Sequence, residues 1–257
     1  MMTVAKDKIA AMAIAVSCAP VVALLAMAPI EANAATKPVT PAQLQSAVVA
    51  AMRSQAGVVT TVTEHQGAKF EEMVTQSGIS DGTQSITVGA AGQTGTVNIV
   101  LTGGVVFLRG NQFGLGSYMG FTAKAAKELA GQWLRVGSAG GEPQAERSLF
   151  QAASADLTVS TLILDTALPG PLSFATPSVV DGQHVNGIAT TIRQAGEPTI
   201  DVVLYVRASG APLPVEEIQT IKGGSGTATF RDWGKAPLVN APATALAFRS
   251  SWLPANY

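Results

Sequence analysis

The sequence predicts an α+β domain: a single curved antiparallel sheet with helices covering one face. Three observations predict it. Apolar residues alternate with polar ones over several short segments, the period-two signature of strands with one dry and one wet face. Turn residues fall between those segments at hairpin spacing: Ser80-Asp81-Gly82, Gly92, Gly103-Gly104, Asp181-Gly182 and Gly223-Gly224-Ser225-Gly226. The period changes to 3.6 in mid-chain and then returns to two, so helices form an insert between two strand series rather than alternating with strands as a parallel sheet requires.

The N-terminus is set aside first. Lys6 and Lys8 precede an apolar run over residues 9–30, and Ala32-Asn33-Ala34 offers small residues at the two positions a signal peptidase reads. The adopted reading is a signal peptide at 1–34 and one domain at 35–257. Two readings compete with it. The apolar run is long enough for an uncleaved membrane anchor, although Pro20 and Pro29 interrupt it. Ala15-Val16-Ser17-Cys18 resembles the lipobox at which a bacterial cysteine is acylated, but Ala15 stands where Leu is usual and the apolar run continues past the cysteine. Cys18 is the single cysteine, so a chain cut after Ala34 has no disulfide and no thiolate site.

Thr40 and Pro41 open a helix over 42–55 whose Leu44, Val48, Ala51 and Met52 share a stripe, and Gly57 ends it. Strands follow from Val58, around Ile86 and Val88, over 96–101 and over 105–109. Leu115, Tyr118, Met119, Thr122, Ala125, Ala126 and Leu129 then predict one helix over 113–130, closed by Gly131. A short strand carrying Trp133 leads into a loop at 137–143. Helices are expected at 148–153 and 158–168, the second stopped by Pro169-Gly170-Pro171. From Leu172 strands resume, with Val202, Leu204 and Val206 expected inside and Tyr205 and Arg207 outside.

Chemistry is sparse. A net charge of -1 with 13% charged residues excludes the basic footprint of a nucleic-acid binder. His65 and His184 read as surface loop residues, and no close His/Asp/Glu spacing suggests zinc. No Gly-x-Ser-x-Gly elbow occurs. The glycine run at 114–120 misplaces its last Gly for a dinucleotide fingerprint, and the run at 223–226 lacks the P-loop Lys. Glu71-Glu72 and Glu216-Glu217 each put their members on opposite faces of a strand and read as solvated charges. A non-enzymatic protein without cofactor or metal is therefore expected. Two readings remain for the apolar surface: the helices at 42–55, 113–130 and 158–168 fill a core against the sheet, or they leave a cavity for an apolar ligand. The 5% aromatic content favours the cavity slightly, because few bulky side chains are present to fill the interior.

Four segments carry a family resemblance: AKELAGQWLRV at 126–136, VDGQHVNG at 180–187, LYV at 204–206 with APLP at 211–214, and TFRDWG at 229–234. In this order and spacing they resemble the actinobacterial LppX/LprG-type cell-envelope proteins, over roughly half of the mature chain. The resemblance implies a half-open β-barrel similar to the lipoprotein carrier LolA, with helices plugging the concave side and a hydrophobic cavity that carries acylated lipid. It implies no catalytic residues. The candidate lining consists of the inward-alternating Val97, Ile99, Leu101, Val106, Leu108, Met119, Leu162, Val202, Leu204 and Val206. The expected function is a secreted or envelope-associated carrier of lipid or lipopeptide, with the membrane as lipid donor, acceptor or anchor. With no charge among these lining positions, tolerance for different head groups is expected. The runner-up is a sensory or protein-interaction module of the same fold, with a filled core and a second envelope protein as partner. Phe230 and Trp233 are expected to anchor the last strand rather than to touch a ligand.

Overall fold

A computed structural model describes residues 40–137, 144–193 and 198–254. The signal peptide, its cleavage site, Cys18 and most of the expected loop at 137–143 lie outside the described residues.

Among the described residues twelve strands form one sheet that does not close. They are β1 (Gly57–Gln66), β2 (Lys69–Gly78), β3 (Gly82–Ala90), β4 (Gln93–Thr102), β5 (Val105–Gly110), β6 (Leu134–Val136), β7 (Ser173–Val180), β8 (Gln183–Ile192), β9 (Ile200–Arg207), β10 (Pro214–Ile221), β11 (Gly224–Arg231) and β12 (Leu246–Ala247). Their order is β12-β6-β5-β4-β3-β2-β1-β11-β10-β9-β8-β7. Each strand series is a meander, as the turn spacing predicts, and the two meanders join where β1 pairs with β11, Val62 opposite Ala228. The first strand thereby becomes a central one. Pairing is antiparallel except for the short parallel contact of β12 with β6, which the sequence did not suggest.

The helices are α1 (Pro41–Arg53), α2 (Ala123–Leu129), α3 (Gln144–Ser154) and α4 (Val159–Thr166). At the start of α1 the Thr40 hydroxyl accepts from the Gln43 backbone N–H while the Gln43 side chain accepts from the Thr40 N–H, so two otherwise unpaired donors are satisfied. Thr158 and Thr161 do the same for α4. The single helix expected over 113–130 is instead broken in two. Gly114–Tyr118 forms a π-helical turn, with the Met119 N–H donating to the Gly114 carbonyl. The chain then reverses at Gly120, whose φ of 77° lies in the left-handed region, and Thr122 caps α2 afresh. The apolar stripe is real, yet the break follows from contact: a Cβ on Gly114 would lie 2.4 Å from the Thr96 carbonyl oxygen, so the turn is pressed against β4.

All helices pack on one face of the sheet and bury two separate apolar clusters. One unites β3 to β6 with the π-helical turn, α2, α3 and the C-terminal Phe248 and Leu253. The other unites β8, β9, Val58 and Phe230 with α1 and α4. After Arg231 the chain passes across the strand ends at Gly57 and Gly78. A Cβ on Gly57 would stand 2.3 Å from the Lys235 carbonyl, which is why the strand starts on glycine. Trp233 fastens this exit as expected: it stacks on Phe230 at 6.2 Å and its indole N–H donates to the Pro214 carbonyl at 2.9 Å.

Candidate functional site

The covered face is the place to look, because helices leave part of it open. Strand parity decides which side chains reach it. On β9, Val202, Leu204 and Val206 are fully buried and Tyr205 and Arg207 lie on the opposite face, as expected. The same parity carried through the hydrogen-bonded register places Thr60, Val62 and Glu64 of β1 beside Thr75, Met73 and Glu71 of β2, and Ala228 and Gly226 of β11 beside Glu217 and Gln219 of β10.

The ten nominated lining residues divide between the clusters. Val97, Ile99, Leu101, Val106, Leu108 and Met119 belong to the first, and Leu162, Val202, Leu204 and Val206 to the second. They are not brought together around one space. Between the clusters runs a seam of different chemistry: Thr60, Glu71, Thr75, Ser77, Gln84 and Glu217 are all buried there, interspersed with half-buried Val62, Met73 and Ala228. Gln84 Nε2 donates to Thr75 Oγ1 at 3.0 Å, and the Ser77 hydroxyl donates to the Asp156 carbonyl at 2.8 Å.

Two carboxylates expected to be solvated are therefore not. Glu71 and Glu217 take the covered face, at 9% and 8% exposure, while their neighbours Glu72 and Glu216 take the other. Alternation is right and solvation is wrong, because the second depends on what lies above the sheet. Burial holds the Glu217 carboxyl above the usual carboxylate range, opposed by the Gln219 amide, which donates to its Oε1 at 2.7 Å. Glu64 stands directly opposite Glu71. Burial, and then the charge of Glu71, push it up to about 6. Glu71 is also raised, first by burial and partly offset by the Tyr118 hydroxyl, which donates to its Oε1 at 2.9 Å. Tyr118 is itself raised by burial and by the carboxylates around it. The sequence signal was present: Glu64 shares parity with Val58 and Val62, and Glu71 with Met73.

Two cavities lie elsewhere, the second meeting this seam only at Gln84. One of about 730 Å³ sits where β8 and β9 outrun β7, lined by Pro169 to Ser173, Thr190 to Arg193 and Val202 among others. The other, about 290 Å³, lies mainly on the uncovered face, against Asn98, Arg109 and Trp133. Of the nominated residues, Val202 borders the first and Ile99 the second. His65 and His184 are exposed and lie on separate strands, the central β1 and the outer β8, His65 opposite Phe70 and His184 opposite Val179. Among the described residues no group of three His, Cys, Asp or Glu side chains is placed to hold a metal ion.

No protein-family model matches the chain, and no curated protein matches its sequence. Solved structures do match. LprF from Mycobacterium bovis aligns at a TM-score of 0.50 and 12% identity, over 79% of this chain and 97% of that one. The Mycobacterium tuberculosis lipoprotein LppX gives 0.47 and 13%, over 77% and 98%. The Pseudomonas aeruginosa MucA/MucB complex gives 0.40 and 17%, over 84% and 67%. At such identities the likeness concerns fold. The chain has the LppX/LprG-type fold: one open, mostly antiparallel sheet with its helices on a single face.

Proposed function

We propose that the protein is a non-enzymatic carrier of acylated lipid or lipopeptide, exported to the cell envelope by its N-terminal segment. The observation that carries this reading is the unfinished cover. Met73, Val62 and Ala228 lie side by side on β2, β1 and β11 and remain half-buried, Met73 packed against one apolar cluster and Ala228 against the other. An acyl chain laid on that floor removes its own methylenes from water at about 0.8 kcal/mol each. Shifts of α4 on one side and the π-helical turn on the other admit it further, toward Leu162 and Leu204 or toward Met119 and Leu108. The head group is not a matter of indifference, contrary to the expectation from the apolar lining alone. Glu64, Glu71 and Glu217 share the floor, so an anionic head group is disfavoured there.

Native mass spectrometry of the protein purified from its own host tests the proposal, together with titration of a fluorescent fatty acid. A bound acyl species released on denaturation is the expected result. No co-purified lipid and no saturable probe binding would sink it.

A specific observation favours a second reading, the interaction module with a filled core. The nominated residues are packed in two clusters, and apolar surface is instead presented outward: Leu164 on α4 is 74% exposed, and Ile79 and Leu238, which flank the contact of Gly78 with Pro237, are 73% and 94% exposed. In that case substitution of Leu164 by Ser leaves stability unchanged and abolishes capture of an envelope protein, with no lipid found in either form.

A further inference from the structure

The Glu64, Glu71 and Tyr118 cluster has a consequence that stands whatever the occupant of the floor is. Glu64 and Glu71 are directly opposed on neighbouring antiparallel strands and point to the same covered face. Such pairs have their Cβ atoms about 5 Å apart. The position beyond Glu64 on β11 is Gly226, which supplies no side chain, and the position beyond Glu71 on β3 is the apolar Val88. The Tyr118 hydroxyl closes the group from above at 2.9 Å. Among the described residues this is the one side-chain hydrogen bond joining residues 114–129 to β1 or β2.

We propose that Glu64, Glu71 and Tyr118 form a pH-sensitive clasp, which holds the π-helical turn against the middle of the sheet while the two carboxylates share one negative charge or none, and releases it when both are ionised. One carboxylate charge is well served by the tyrosine hydroxyl. A second, opposed to it in a half-covered site, has no such donor and is relieved when the cover lifts and water enters. The other charged group acting on the cluster, Asp156 in the segment before α4, is also acidic and adds to the repulsion. On the same strands His65 and Glu72 follow these two residues and therefore face the other side. Lys69, two residues before Glu71 on β2, shares the covered face but is exposed, and among the described residues no ion pair joins a cation to Glu64 or Glu71. The direction follows: groups raised in the closed form favour that form at low pH, and closure weakens as pH climbs from the ordinary carboxylate value of 4.5 through about 6, where Glu64 is held.

Hydrogen exchange of the described protein at about pH 5 and about pH 7.5, corrected for intrinsic rates, tests the clasp. The amides of Leu115, Met119 and Phe121, bonded to the Asn111, Gly114 and Leu115 carbonyls, report the turn. Those of Val202 and Leu204 report the rest of the fold. Protection of the first set is expected to fall about tenfold at the higher pH while the second set holds. Glu64→Gln, or Glu71→Gln should the first variant fail to fold, removes the pH response and keeps the turn protected. Tyr118→Phe leaves it poorly protected at both values. Equal protection of the wild-type turn at both pH values, or a pH response that persists in a folded Gln variant, overturns the proposal.

Discussion

Leu108 and Leu204 are both fully buried, yet they belong to different clusters, and that separation has measurable energetics. Leu108 lies on β5 and Ile188 on β8, eight positions apart in the strand order, which is about 38 Å along the sheet at about 4.8 Å per strand. Ile188 and Leu204 are instead direct cross-strand partners on the same face. Truncating either leucine to alanine costs about 3 kcal/mol, since the side chain loses its burial and leaves a cavity that its neighbours fill incompletely. Ile188→Val costs about 1 kcal/mol. Urea unfolding of the three single and two double variants then distinguishes the arrangements. Ile188→Val combined with Leu108→Ala should add to within about 0.5 kcal/mol, because the sites share no contact. Ile188→Val combined with Leu204→Ala should depart from additivity by more than that, because the valine borders the new cavity. Coupling across the clusters, or strict additivity within one, would refute the division into two cores by a polar seam.

Other expected outcomes follow from single contacts. Gly82→Ala should destabilise by about 1–3 kcal/mol in thermal unfolding, because its Cβ would sit 2.1 Å from the Leu157 carbonyl oxygen, a main-chain atom that cannot rotate away. Trp233→Phe keeps the ring beside Phe230 but strands the Pro214 carbonyl, and should cost about 1–2 kcal/mol. Thr158→Ala removes the cap of α4 and should cost about 1 kcal/mol. Wild-type melting temperature should decline as pH rises from 4.5 through about 6, because Glu64 is raised in the folded state and the unfolded chain ionises first. Glu71 and Glu217 are raised too and act in the same direction. Glu64→Gln should reduce that decline, and a melting temperature that climbs over the same range would contradict the burial of these carboxylates.

Much of the fold was legible because its local signals agree. Period-two alternation and turn glycines marked the hairpins of β3 to β5 and of β8 to β11, and Thr40 with Pro41 marked α1. The helix over 113–130 was misjudged because its apolar stripe continues across the break, whereas the cause of the break, the pressing of Gly114 on β4, is a contact between residues distant in sequence. The site was legible in parity alone. Alternation places Val202, Leu204 and Val206 inside, and by the same rule Glu64 and Glu71, but an inward carboxylate looks solvated until the cover above it is known.

By itself the sequence determined most of the element types, the face each strand residue takes and the α+β class, because these depend on spacing within a few residues. It also carried the family resemblance, in four short segments held at a fixed order. Only the tertiary structure decided that β1 closes against β11, since pairing between chain ends is invisible to local pattern. The same holds for the partition of the apolar face. The helical covers meet over β1 and β2 in such a way that Glu64 and Glu71 lose water, and it is this burial that turns them from surface charges into raised carboxylates beneath Tyr118.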